Sequence, residues 1–500
     1  MSLLCMVSIL VSTLRFGPLS TSGYIQLDVR GTSQNGEIQE LTTLTLAPQF
    51  TIFGMPLSIN LILNNEKEKI RQRMNRYLFK FRPDRLIPKM PGIPSFILSF
   101  RNVSFGSTYP DFSELTLYST RIKGIYVTYE PGPIYLSFSN GTVASDTMGY
   151  ERILKGIKFG FGSPYRSHLH FTYLHSRDMG VESDTLPPME NFVVGTDFAL
   201  RVKSLSVGAE VAASELTMDV WAPSLEKEGI PDWAIRLFNP RVSSHFDFAF
   251  KGEAQVSTNR INLKLSGKMI GPGFKSFGAT LRNDLLKYEF SLGTHFLRNR
   301  VSVNFGFQSE RDNLLNTKEF TTTLQSQHFD MGLFAPGLPF LSFNVDRYEQ
   351  GGSKYDLVTL GFSSGYPYNL EGISMLTRIS MNYQRSDQPD TANKNSQSFY
   401  TVIAGQSFIF SSFNITVSGG YAQYTFSTGV TRQTSADMGL SYLGRNISPN
   451  MGVSYTSREG DVQWELYGGL IANLPYGFRL NGKMTRYSET RFLLVLKRSW

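Results

Sequence analysis

Apolar and polar residues alternate along much of this chain with a period of two, and that period predicts strands rather than helices. In 261–269, Ile261, Leu263, Leu265 and Met269 share one face, while Asn262, Lys264, Ser266 and Lys268 share the other. In 301–308, Val301, Val303, Phe305 and Phe307 oppose Ser302, Asn304, Gly306 and Gln308. In 373–384, Ile373, Met375, Ile379, Met381 and Tyr383 oppose Ser374, Arg378, Ser380, Asn382 and Gln384. The stretches 246–251, 413–418 and 478–485 repeat the pattern. A soluble sandwich alternates too, so three further features decide. Phe, Tyr and Leu crowd the apolar faces of nearly every strand, more than one sandwich core absorbs. Strand candidates recur along the whole chain with no helical domain between them. Connections alternate between short ones, near 298–300, 335–338, 368–371, 410–412, 445–448 and 473–476, and longer or more polar ones, near 311–317, 348–354, 386–397, 426–431 and 458–460. Tight turns at one end and longer loops at the other mark a membrane barrel.

The expected fold is therefore all-β: one large transmembrane antiparallel β-barrel over residues 23–500, with about 24 to 26 strands and 26 favoured. An even count places both termini in the periplasm of a bacterial outer membrane. Residues 1–22 read as a signal peptide or leader, because 2–12 form an apolar run followed by Ser20 and Ser22, although no Lys or Arg precedes it. A short first strand is the plainer alternative. The run is too short for a helical span, which needs about 20 residues. Two insertions interrupt the alternation: the charged stretch near 65–76, and 222–242 with Pro223, Pro231 and Pro240. Either could enter the lumen as a partial plug, but a place on the rim is preferred, since long loops usually stay at surfaces. The last strand ends on Trp500, which resembles the C-terminal aromatic signal read by the barrel-assembly machinery. Lys497 and Arg498 just before it depart from the usual form of that signal.

Composition sharpens this picture. Aromatic residues make up 13% of the chain and charged residues only 18%, against roughly 25% charged in ordinary soluble domains. A mean hydropathy of −0.17 excludes a helical membrane protein but suits a barrel that hides its polar half in a lumen. The single cysteine, Cys5, lies in the leader, so neither a disulfide framework nor a cysteine-ligated metal is expected. The net charge of +8 is spread along the chain without a basic run flanked by stacking aromatics, which argues against nucleic acid. A basic lumen, or loops facing lipopolysaccharide, accounts for it. Among the cations, Lys264, Lys268, Arg378, Arg479 and Lys483 fall on polar strand faces and are the lumen-facing candidates.

No catalytic pattern stands out, and neither an enzyme activity nor a cofactor is expected. His168 and His170 lie two apart on one strand and so share a face, opposite Leu169, Phe171 and Tyr173. Two imidazoles supply half a metal site. With no second pair of matching spacing, a polar lumen pair is the simpler reading and no metal is expected. Gly271-Pro272-Gly273 lacks the strand, helix and Lys of a phosphate-binding loop and reads as a turn.

Several blocks carry a resemblance together. They are Phe53-Gly54-Met55-Pro56, Asn75-Arg76-Tyr77, Glu130-Pro131-Gly132-Pro133, Ile270-Gly271-Pro272-Gly273-Phe274, and Arg311-Asp312-Asn313-Leu314-Leu315 with Thr321 and Thr322 beyond. In this order they resemble a family of uncharacterised bacterial outer-membrane β-barrel proteins. The resemblance covers most of the chain from about residue 23 and implies the fold and location but no activity. The stretch from Phe105-Gly106 to Gly124, with Pro131-Gly132-Pro133, also looks like the start of fimbrial usher barrels, though the chaperone-binding and plug domains have no counterpart here.

These features point to a non-enzymatic pore or translocation channel. The alternative is a structural or docking barrel that anchors a surface or secretion complex. A barrel of this size is wide, so loops or a lumen-occluding protein partner are expected to close it. Its remaining expected partners are outer-membrane lipid, lipopolysaccharide and the barrel-assembly machinery.

Overall fold

The computed structural model describes residues 19–34, 37–52, 55–64, 76–85, 94–143, 150–179, 187–225, 238, 240–351, 355–389, 394–444, 446–474, 478–486 and 490–499. Residues 1–18 of the expected leader, most of the 65–76 insertion, much of 222–242, and Trp500 lie outside the described residues, while 19–22 already belong to the first strand. The chain opens with β1 (Leu19–Gln34), β2 (Glu37–Ile52), β3 (Met55–Asn64), β4 (Arg76–Phe81), β5 (Phe100–Thr108) and β6 (Ile122–Tyr129). Next come β7 (Ile134–Val143), β8 (Glu151–Phe161), β9 (His168–Met179), β10 (Glu190–Val202), β11 (Leu205–Thr217), β12 (Ser244–Ser257) and β13 (Ile261–Ile270). The second half holds β14 (Leu285–Phe296), β15 (Val301–Arg311), β16 (Thr323–Leu333), β17 (Phe340–Gly351), β18 (Tyr355–Leu370), β19 (Ile373–Pro389) and β20 (Lys394–Ile409). It ends with β21 (Phe413–Phe426), β22 (Gly429–Tyr442), β23 (Ile447–Arg458), β24 (Asp461–Asn473), β25 (Phe478–Arg486) and β26 (Thr490–Ser499).

Every strand pairs antiparallel with its neighbours in sequence, and β1 closes on β26 from Tyr24↔Ser499 to Ser33↔Thr490. Closure of the 26-stranded sheet removes the unpaired edge that no lipid-exposed backbone tolerates. The side-chain parity then does the rest. Phe159, Phe171, Phe248, Leu265, Met381, Met438 and Trp464 are exposed on the outside. They alternate with Lys158, His170, Asp247, Lys264, Asn382, Asp437 and Glu465 on the inside. Large apolar side chains standing in the open on every arc of a closed, even-stranded barrel belong in hydrocarbon, and the chain is a bacterial outer-membrane β-barrel.

The wall is uneven. Strands β18, β19 and β20 run for 16, 17 and 16 residues, whereas about 9–11 suffice to cross a membrane. Near the tips of β17, β18 and β19, at the end away from the chain termini, charges appear on the outer face. Arg347 lies 3.2 Å from Asp356, and Arg385 lies 2.9 Å from Asp387. Ion pairs do not face lipid tails, so this part of the wall stands in water beyond the membrane. That corrects one expectation: 386–397 is mostly strand, because its polar residues reflect sheet in water rather than loop. Likewise 426–431 and 458–460 are tight turns, with Phe426↔Gly429 and Arg458↔Asp461 paired across them. Glu459 (φ 52°) and Gly460 (φ 93°) take the left-handed conformations that such a hairpin turn requires.

Candidate functional site: two loops docked inside the barrel

A barrel lumen filled with water should present polar side chains. Along β8 to β14 one inward patch does not. Leu154, Leu174, Val193, Ala212, Ala249, Ile270 and Leu285 occupy inward positions on seven successive strands, and all are buried. What covers them is the chain itself. Segment 109–121, between β5 and β6, turns into the lumen and lays Phe112, Leu115 and Leu117 on this patch. Segment 271–284, between β13 and β14, adds Phe274 to the same cluster. Leu115, Leu117 and Phe274 are 0% exposed, and each such side chain contributes about 1.5–3 kcal/mol on burial.

Two wall glycines make room. A Cβ on Gly156 would come within 2.8 Å of the Phe112 ring, and one on Gly195 within 2.8 Å of the Thr116 methyl. A side chain at either place would occupy the volume the loop takes.

Charge holds the loop in register. One row of inward residues runs His170–Asp197–Glu210–Lys251–Lys268–Lys287–Glu310, each opposite the next across adjacent strands. Three neighbouring lysines repel one another, and like charges directly opposite destabilise a sheet. Glu114 on the inward loop resolves this, with its carboxylate 2.8 Å from Lys251 and 2.7 Å from Lys268. Lys287 is matched instead by Glu289 (2.7 Å) and Glu310 (3.2 Å). Further along the row, the Leu115 backbone N–H donates to Glu210 at 2.7 Å, and Lys158 donates to the Phe112 carbonyl. Burial pushes the Glu114 carboxyl up, but hydrogen bonds from the two lysines outweigh it and hold the group down at about 2.

The two loops also bind each other. The Tyr118 N–H donates to the Gly278 carbonyl at 3.0 Å, and the Ser276 hydroxyl donates to the Thr116 carbonyl at 2.5 Å. Segment 271–284 is anchored to the wall by Asn191, whose amide donates to the Lys275 carbonyl (2.9 Å) and accepts from the Phe277 N–H (3.1 Å). The Arg152 guanidinium packs 3.5 Å from the centre of the Phe277 ring. Asp284, at the loop's end, accepts from the N–H groups of Asn313 (3.0 Å) and Leu314 (2.7 Å) and meets the Lys318 ammonium at 2.5 Å. The block 270–274 thus opens the inward loop, and the block 311–315 clasps its far end.

The sequence-predicted cations separate into two groups. Lys268 is paired to Glu114, and Lys264 stands on the same face of β13. Arg378, Arg479 and Lys483 are exposed on the faces opposite Ile379, Met381 and Met484. Arg479 lies directly opposite Lys497. Trp500 lies outside the described residues. Of the 222–242 insertion, Phe238 packs edge-on against Phe192 and Phe246 (5.9 and 6.4 Å between ring centres), on the outward side of β10 and β12. Among the described residues, segments 109–121 and 271–284, rather than the 65–76 and 222–242 insertions, pack inside the lumen. Their signal was present in the seven inward apolar positions that break the alternation.

No protein-family model and no curated protein sequence matches the chain. Among solved structures, the P pilus usher (PapC) translocation pore is similar over 96% of this chain and 99% of that one, at 9% identity and a TM-score of 0.39. The siderophore receptor PirA from Pseudomonas aeruginosa is similar over 96% of this chain and 80% of that one, at 8% identity and a TM-score of 0.40. OccK1 (OpdK) of Pseudomonas aeruginosa is similar over 66% of this chain and 97% of that one, at 13% identity and a TM-score of 0.34. At these values the likeness says nothing about what this chain does.

Proposed function

We propose that this barrel is a non-enzymatic outer-membrane channel whose passage is narrowed from within by its own loops, 109–121 and 271–284. The observation that carries this is the apolar cluster inside the lumen, where Leu115, Leu117 and Phe274 are fully enclosed against the wall. A packed contact of that kind holds a plug, because exposing it to a water-filled lumen costs the burial of several large side chains. The remaining passage runs past Arg378, Arg479 and Lys483, with Lys497 beside Arg479. These four cations outnumber the inward carboxylates Asp437 and Glu465 between them, so this arc favours anions. Lys268 adds little to the selectivity, since Glu114 neutralises it. Planar-bilayer recording on purified protein tests the reading. Discrete channels with a preference for anions support it, whereas the absence of channels or a preference for cations overturns it.

A docking role for the same barrel draws support from the tall wall around β17 to β20, where ion pairs on β17, β18 and β19 stand beyond the membrane. A stable protein partner that copurifies and is lost when Arg347 and Arg385 are replaced would favour that role over free conduction.

A further inference from the structure

We propose that His168, His170 and Asp197 form a binding site for a divalent transition-metal ion of the zinc class. It goes beyond the channel reading and does not depend on it. His168 and His170 project inward from β9, and their rings stack with centres 4.5 Å apart and planes 14° from parallel. Tyr135 stacks on His170 at 4.4 Å and fixes its ring. Asp197 stands opposite His170 on β10. The donor atoms of all three lie within 4.8 Å of one another.

The outer nitrogens of both rings are committed to backbone carbonyls. His168 Nδ1 lies 2.9 Å from the Arg166 carbonyl, and His170 Nε2 lies 2.8 Å from the Gly162 carbonyl. A carbonyl oxygen only accepts, so each of these nitrogens carries the proton. In a neutral imidazole the other nitrogen is then bare. His168 Nε2 and His170 Nδ1 both face Asp197 Oδ2, at 3.0 and 3.6 Å. An N–H held by a carbonyl while its opposite nitrogen is presented inward is how metal-ligating histidines are oriented.

One observation singles out a metal over a plain ion pair. A proton between His168 and Asp197 satisfies that contact alone. It leaves His170 Nδ1, 0% exposed, without a hydrogen-bond partner, and an unpaired buried polar atom costs about 1–3 kcal/mol. One cation takes all three lone pairs at once. Tetrahedral zinc with bonds of about 2.0–2.1 Å wants its donors about 3.3 Å apart, close to the two separations observed. The Lys158 ammonium bridges the carboxylate, 2.9 Å from Oδ1 and donating to Oδ2 at 3.0 Å, and it would keep Oδ1 when a metal takes Oδ2. Two imidazoles and one carboxylate leave a fourth position for water, a donor set that zinc accepts readily.

The test uses untagged, chelator-treated full-length protein in detergent, dialysed against Zn²⁺ and assayed for bound metal by mass spectrometry. Co²⁺ loading of the same protein gives an absorption spectrum that distinguishes tetrahedral from hexa-aqua coordination. Heat-modifiable mobility on gels confirms that each variant remains a folded barrel. One equivalent of zinc per chain, a tetrahedral Co²⁺ spectrum, and binding weakened more than ~100-fold in a folded His170→Gln supports the site, since outer-shell changes alone cost roughly 10- to 100-fold. Zinc uptake no greater than that of the His168→Gln/His170→Gln double variant overturns it. If the variants do not fold, an octahedral Co²⁺ spectrum of the unaltered protein overturns it equally.

Discussion

Glu114 and Lys268 lie 154 positions apart in the chain, yet their side chains meet at 2.7 Å inside the barrel. The lysine belongs to a row of three adjacent cations on β12, β13 and β14, and the carboxylate arrives on a loop from between β5 and β6. The wall thus carries a surplus of positive charge that one inward loop matches. Reversing the sign at that point, with Glu114→Lys, sets another cation against Lys251 and Lys268. The loop is expected to leave the wall, and single-channel conductance should rise over that of the unaltered barrel. Unchanged conductance in a folded variant would show that the pairing does not hold the loop.

Space at the wall is as restrictive as charge. Gly195→Val places side-chain atoms where the Thr116 methyl sits, since even a Cβ there comes within 2.8 Å. The barrel is expected to fold, because the change lies on the inner face of a strand and valine suits strands. Limited proteolysis should cut within 109–121 faster than in the parent, by at least ~10-fold, which corresponds to about 1.4 kcal/mol of lost docking and lies within the usual cost of overpacking.

Acid should loosen the plug. The Glu114 carboxyl titrates at about 2 when docked and at 4.5 when free, so the undocked loop takes up its proton at the higher pH. Stabilisation from this group is therefore complete above pH 4.5 and is lost as the pH falls through 2. Conductance is expected to climb across that window in the parent and to stay flat there in Glu114→Gln. An acid response of equal size in both would assign the effect to other groups.

The clasp at Asp284 makes a separate prediction. Asp284→Ala removes the acceptor for two backbone N–H groups, of Asn313 and Leu314, and the partner of Lys318. Buried donors left without partners cost about 1–3 kcal/mol. Hydrogen exchange at the amides of Asn313 and Leu314 should quicken by ~5- to 100-fold while the strand amides of β14 and β15 keep their protection.

Much of the barrel is legible in the sequence. The alternations in 261–269, 301–308 and 373–384 reappear as β13, β15 and β19, each with the expected residues on each face, and the favoured count of 26 strands is the one found. The loops were less legible. Polarity in 386–397 reads as an exposed connection because polar residues are common both in loops and in strands that rise beyond the membrane, and composition does not separate them. The docked loops were missed for a related reason. The run Glu114-Leu115-Thr116-Leu117 alternates like a strand, and its partner positions, such as Val193 and Ala249, lie far away in the chain. Only the closed register shows that those apolar residues point inward, where a bare lumen would have polar ones. The third donor beside His168 and His170 was hidden in the same way, since Asp197 comes from the next strand.

The most direct test replaces residues 110–118 with a short Gly-Ser linker and compares single-channel conductance in planar bilayers with that of the unaltered protein. The linker keeps β5 and β6 joined while removing Phe112, Glu114, Leu115 and Leu117. A folded barrel with a several-fold larger unit conductance is the result expected of a lumen narrowed by its own loop. Equal conductance from the two proteins would contradict it.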